Sequence, residues 1–180
     1  MGRYSRGDTK AFEALYARVS PRLFGYLLRL CRDRQHAEDL VQVTFVKVHR
    51  ARDSYIEGAP LLPWVMAIAR RSFFDLTRRK KVRPEYLSHD GAVPEPEQKE
   101  EGLDNDLADA LDRALGRLPP SYAEAIQLTK ISGLSLSEAA EVLGTSKTAV
   151  KLRVHRGYKL LRKELEHFAR HHPLDEELTQ

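Results

Sequence analysis

Lys147, Lys151, His155, Arg156 and Lys159 can each donate a hydrogen bond to an anion, and their spacing gathers them. Wound at about 100° per residue, the segment from Lys147 onward carries Thr148, Leu152, His155, Arg156 and Lys159 on one side, with Lys147 and Lys151 flanking its first turns. Such a face neutralises phosphates with its cations and reads base edges with the remaining side chains, so its chemistry is recognition rather than bond-making. A second group interleaves rings with cations: Trp64, Phe73 and Phe74 among Arg70, Arg71, Arg78, Arg79, Lys80 and Lys81. At helical spacing Trp64, Arg71, Asp75 and Arg78 share a face. Rings and guanidinium planes stack on unpaired bases while the charges follow the phosphates, although each ring taken singly also suits a core. Glu38, Asp39 and Gln42 form a third group near the start of a helix, where they either complement the helix dipole or make a docking patch for another protein.

Nothing comparable points to catalysis. The chain has no phosphate-cradling glycine loop, no H-E-x-x-H and no Cys/His ligand set, and His167 and His171, spaced i, i+4, lack a third ligand. The single cysteine, Cys31, sits beside Leu27, Leu28 and Leu30 as a small core residue would. No enzyme, no cofactor and no metal are expected.

The elements that position these groups read as helices throughout. Ser135 and Glu138 make a capping box, Ala139, Ala140 and Leu143 an apolar stripe, and Gly144 a left-handed stop. Thr145 or Ser146 then caps a longer helix whose Val150, Val154, Leu161, Leu165 and Phe168 face a core. Helix, glycine turn and cationic second helix is the pattern that places its second member in the major groove, and an ordinary helical hairpin with a solvated cationic side shares it. Further upstream, Asp8 caps a helix marked by Phe12, Leu15, Tyr16 and Val19, which Pro21 is expected to interrupt. A second helix with Leu23, Phe24, Leu27, Leu28 and Cys31 closes at Arg32 to Gln35. A third, His36 to Arg50, turns Ala37, Val41, Phe45 and Val48 inward. A loop from Asp53 to Leu62 leads to Pro63 at the first position of a fourth helix. Leu107, Leu111, Leu115 and Leu118 mark a helix stopped by Pro119 and Pro120. Ser121 opens another, with Ala125, Ile126 and Leu128 inward.

Charge divides the 180 residues into three. Residues 1–84 hold 18 Lys/Arg against 8 Asp/Glu, residues 85–112 hold 1 against 10, and residues 113–180 hold 11 against 8. Two basic blocks separated by an acidic stretch point to polyanion contact at both ends. Pro84, Pro94, Pro96, Gly91 and Gly102 mark that stretch as linker. No apolar run reaches 18 residues and the N-terminus has no apolar signal segment, so a cytoplasmic protein is the default. The expected fold is all-α, with two small helical domains joined by a flexible acidic linker and a helix-turn-helix in the C-terminal one.

Taken in order, the motifs match a known family. Gly7-Asp8, Ala11-Phe12 and Leu15-Tyr16 are followed by Ala37-Glu38-Asp39-Leu40-Val41-Gln42 with Phe45, then Trp64-Val65 with Ile68-Ala69-Arg70 and Asp75. The second block adds Leu118-Pro119 with Tyr122, Gly133-Leu134-Ser135 with Glu138-Ala139-Ala140, and Thr148-Ala149-Val150-Lys151 with Arg153 and His155-Arg156. Over residues 8–165 the chain resembles bacterial sigma factors of the extracytoplasmic-function group within the sigma-70 family.

The resemblance implies a region-2-like domain at 8–84, an acidic connector at 85–106, a region-4-like helix-turn-helix domain at 107–168 and a tail at 169–180. It implies that Glu38, Asp39 and Gln42 bind the beta-prime clamp of core RNA polymerase. Tyr55, Trp64, Arg71, Asp75, Arg78 and Arg79 would recognise and melt the minus-ten element of promoter DNA. Lys147, Thr148, Lys151, Leu152, Arg153, His155 and Arg156 would read the minus-thirty-five element. An anti-sigma factor is the further partner implied. Two residues depart from the family pattern: Arg71 stands where an Asn is usual, and Leu152 where a small polar residue is frequent. A helix-turn-helix regulator of another kind accounts for the second block only. A sigma-like mimic without initiation activity would keep the protein-facing surfaces and lose the DNA contacts.

Overall fold

A computed structural model describes Tyr4, residues 8–82 and residues 103–171, and among these every regular element is helical. Asp8 opens α1 (Thr9–Cys31), its carboxylate accepting the Ala11 N–H at 3.1 Å. The interruption expected at Pro21 does not occur, and α1 runs through it for 23 residues. A proline in a helix interior costs about 3 kcal/mol. Around it, however, Val19, Leu23, Tyr26 and Leu27 are all buried, and a fully buried large apolar side chain contributes about 1.5–3 kcal/mol. Packing therefore outweighs the local penalty. Arg32, at φ 54°, ends α1 with its N–H on the Leu28 carbonyl at 2.8 Å.

Asp33 starts α2 (Arg34–Arg50) immediately afterwards. Its carboxylate accepts the His36 N–H at 2.7 Å, and that bond holds Asp33 below the usual carboxylate pKa. The polar run that closes one helix thus also opens the next. Ala37, Leu40, Val41, Thr44, Phe45 and Val48 form the buried face of α2, packed on α1 and on α3 (Leu61–Val82). Thr44 is tolerated there because its hydroxyl donates to the Leu40 carbonyl at 2.6 Å. A short 3₁₀ turn, Arg52–Ser54, begins the connection to α3. That helix starts at Leu61, so Pro63 lies within its first turn rather than at its first position.

The second block opens with α4 (Leu103–Arg117), which begins inside the stretch read from sequence as linker. Pro119 precedes α5 (Pro120–Ile126), and Pro120 takes its first position, where a missing N–H costs nothing. A π-helical turn, Gln127–Ile131, continues it. The capping box before α6 (Leu136–Leu143) is complete: Glu138 accepts the Ser135 N–H at 2.7 Å, and Ser135 accepts the Glu138 N–H at 3.2 Å. Gly144 follows in the left-handed region, and Ser146 caps α7 (Lys147–His171) by accepting the Ala149 N–H at 3.1 Å. Val150, Val154 and Leu161 are buried as expected, and Gly157 completes the stripe between them. A Cβ on Gly157 would lie 2.7 Å from Ile126 Cδ1 and 3.3 Å from Tyr122 Cβ, so α5 and α7 approach closely there and a side chain would displace Ile126.

The two blocks share a core. Buried apolar contacts run without a break from Leu23, Leu27, Val48, Val65 and Met66 to Ala125, Leu128, Leu134, Ala139 and Val150, with α6 laid against α3. A smaller cluster of Ala114, Leu115, Leu118, Ile126 and Leu161 holds α4, α5 and α7 together.

Candidate nucleic-acid interface

The capped start of α7 and its buried stripe fix which way the cations point. Lys147, Thr148, Lys151, Leu152, His155 and Arg156 are all exposed; Thr148, Leu152, His155 and Arg156 lie on the side away from Val150 and Val154, and Lys147 and Lys151 flank the first turns. Arg153 is only partly exposed and lies at the flank of this face. Leu152, 46% exposed, places an apolar side chain in the middle of a cationic surface, where a thymine methyl or another apolar group is the natural complement.

A second surface is carried by α3 and the loop before it. Tyr55 is folded back by its hydroxyl, which donates to the Ala59 carbonyl, and its ring meets Trp64 edge-on at 5.2 Å between centroids. Burial, and then the charge of Glu57, raises the Tyr55 phenol above its ordinary pKa. Arg71 and Arg78 are exposed on α3, whereas Asp75 turns towards α2, with Lys47 Nζ at 3.9 Å. Arg79, Leu107, His167, Phe168 and His171 lie outside the described side chains, as do most of the acidic stretch and the tail beyond His171. Among the described residues there is no cluster of three or more His, Cys, Asp or Glu able to hold a metal ion.

The outer face of α2 carries Glu38, Asp39 and Gln42 exposed, with Glu38 paired to Arg34 Nε at 3.1 Å. Beside them stand two apolar residues that the sequence reading passed over, Val43 (44% exposed) and Val46 (51% exposed). Asp39, Gln42, Val43 and Val46 recur at helical spacing as one stripe. The signal was present in the sequence: two valines fall off the inward Ala37, Val41, Phe45, Val48 period onto an otherwise polar face. Ile56, 77% exposed near the tip of the loop between α2 and α3, was missed in the same way.

Arg70, inside the Ile68-Ala69-Arg70 motif, does not face solvent with Arg71. Its guanidinium lies over the Phe74 ring at 4.7 Å and reaches across to the second block. Its Nε donates to Glu124 Oε1 at 2.8 Å and its Nη2 to Oε2 at 3.4 Å. The Tyr26 hydroxyl gives a third bond to Glu124 Oε1 at 2.7 Å. Glu124 is 8% exposed, and an unpaired carboxylate so deep would cost several kcal/mol. Burial, and then this carboxylate's charge, pushes the Tyr26 phenol well above its ordinary range. Gln127, also buried, donates to the Gly25 and Tyr26 carbonyls at 3.2 and 3.1 Å. At the rim, Arg29 Nε meets Asp112 Oδ1 at 3.1 Å and Arg32 Nη2 meets the Gly116 carbonyl at 2.9 Å.

Two sequence families match the chain, Sigma-70 region 2 over residues 15–83 and Sigma-70 region 4 over residues 108–161. RNA polymerase sigma factor CarQ of Myxococcus xanthus is 39% identical over 169 residues, covering 92% of this chain and 95% of that protein. ECF RNA polymerase sigma factor SigF of Caulobacter vibrioides is 33% identical, covering 86% of each. Among solved structures, the sigma factor RpoE of Bartonella quintana, in complex with the anti-sigma factor NepR, superposes with a TM-score of 0.71 at 31% identity. That match covers 87% of this chain and 98% of that one. CnrH, in complex with the cytosolic domain of CnrY, gives 0.69 at 28% identity over 92% and 94%. With both regions present in order on one helical chain, and with relatives matched over nearly their whole lengths, the protein belongs to the sigma-70 family as a factor of its extracytoplasmic-function group.

Proposed function

We propose that the chain binds core RNA polymerase and directs promoter-specific initiation of transcription, with α2 and α3 serving the polymerase and the minus-ten element and α7 reading the minus-thirty-five element. The observation that carries this reading is the pairing, on one chain, of a capped helix-turn-helix with an exposed cationic face and a separate helix that exposes Arg71 and Arg78 and begins beside the Tyr55–Trp64 ring pair. In this scheme Lys147, Lys151 and Arg153 follow phosphates. Thr148, Leu152, His155 and Arg156 meet base edges. Tyr55, Trp64, Arg71, Asp75, Arg78 and Arg79 serve the minus-ten strand, where an unpaired base is captured at a cost of a few kcal/mol. Asp39 and Gln42, with Val43 and Val46, form the docking stripe for the polymerase, and Glu38 borders it.

The role asks for no bond-making by the chain itself and places it in the cytoplasm with the polymerase. Among the described residues no helix is long and apolar enough to cross a membrane. The structurally similar sigma factor RpoE is in complex with the anti-sigma factor NepR, and CnrH with the cytosolic domain of CnrY, which supports an anti-sigma factor as the inhibitor here. Run-off transcription from genomic fragments tests the reading. Core polymerase plus this chain should yield discrete starts that core alone does not, and product independent of the chain refutes it.

A further inference from the structure

Promoter elements named for positions minus ten and minus thirty-five lie about 25 base pairs apart, or about 85 Å along the duplex. A compact chain of this length has a radius of gyration of about 16 Å and measures about 40 Å across. With α6 packed on α3 and one core running through both blocks, the two DNA-reading faces cannot occupy their elements together. The blocks must part before both are engaged. Beside that shared core, a set of polar contacts opposes parting: Glu124 on the Arg70 fork and the Tyr26 hydroxyl, Gln127 on two α1 carbonyls, and the Arg29–Asp112 pair at the rim.

We propose that these contacts are an internal latch, with the Glu124 carboxylate as its bolt, that holds the free chain closed and lowers its apparent affinity for core polymerase. The carboxylate meets Arg70 through both Nε and Nη2, the fork geometry in which a guanidinium also takes a phosphate. While the latch is shut, that fork is withheld from any anion outside the chain. A closed form that must open before binding divides the apparent affinity by the open fraction, so weakening the latch tightens binding without adding any contact to the polymerase. The proposal rests on the sigma-factor reading above.

The test uses the full chain with and without core polymerase, and pairs small-angle scattering of the free chain with run-off transcription titrated against chain concentration. The wild type should scatter with a radius of gyration near 16 Å. Glu124→Gln keeps the shape and removes the charge. It should expand the free chain and lower the half-saturating concentration roughly tenfold, the size expected for loss of a charge-assisted bond. Should that variant fold poorly, Asp112→Lys decides alone, because Asp112 is 55% exposed and its reversal sets two cations against each other at the rim. It should shift both readings in the same direction, and adding Arg29→Asp should restore the wild-type values. An expanded wild type, or variants that stay compact with unchanged half-saturation, overturns the latch. Absence of core-dependent transcription from every variant overturns the sigma reading instead, and the scattering still judges whether the chain is held closed.

Discussion

On the outer face of α7 the side chains differ in what they can do to DNA. Lys151 is a compact charge on a flexible stem, exposed one turn into the helix, and suits a phosphate. Arg156 is a planar fork that can take two acceptors of one guanine. Lys151→Ala should therefore weaken binding of the polymerase-bound chain equally on all sequences and reduce the salt slope by about one, checked by titration at several ionic strengths. Arg156→Ala should cost about 1–3 kcal/mol on the preferred sequence and little elsewhere, and equal loss on every sequence would reassign it to the backbone. On α2 the exposed stripe mixes charge with apolar surface, and the two parts should fail differently. Asp39→Ala with Gln42→Ala should slow association with core polymerase and reduce co-purification, most at low salt, since rim charges steer encounter. Val46→Ser removes apolar area at a residue 51% exposed, and should raise the dissociation rate without altering the fold, as circular dichroism would verify.

At the scale of elements, several helix starts and stops were legible because they depend on neighbours a few residues apart. The Asp8 cap, the Ser135–Glu138 box, the Gly144 stop and the Ser146 cap all use groups within four residues of one another. Pro21 was misread for the complementary reason. Its local penalty is visible in sequence, whereas the burial of Leu23, Tyr26 and Leu27 that overcomes it depends on α2 and α3. If α1 is held against its own propensity at that point, Pro21→Ala should raise stability by about 2 kcal/mol, since the helix penalty of about 3 exceeds the entropy that proline removes from the unfolded chain. A thermal melt showing no gain would mean that the helix carries no such penalty at the exposed Pro21.

Across the whole molecule, the continuous core makes the blocks thermodynamic partners. Leu128, Val150 and Ala139 of the second block belong to the same buried cluster as Leu23, Val48 and Met66 of the first. Calorimetry of the free chain should accordingly give one cooperative transition. Glu124→Gln should lower and broaden it, because the apolar contacts that remain hold the blocks together less firmly without the central ion pair. Two transitions in the wild type would show that the shared apolar surface contributes too little to couple them. The same surface explains why the blocks need a larger partner once parted: it must then be covered by something else or left in water at about 25 cal/mol per Å².

The sequence by itself determined the helical class, the caps, the cationic face of α7 and the family, since periodicity, capping and motif order are written in residues close together along the chain. Glu124 and Gln127 carried no such signal, being polar residues beside the inward Ala125, Ile126 and Leu128. Only the tertiary structure buried them, drew Arg70 across to Glu124 and joined two basic blocks into one closed body. Those outcomes depend on partners 54 to 102 residues distant, and a carboxylate's choice between water and a guanidinium is decided only when such distant groups meet.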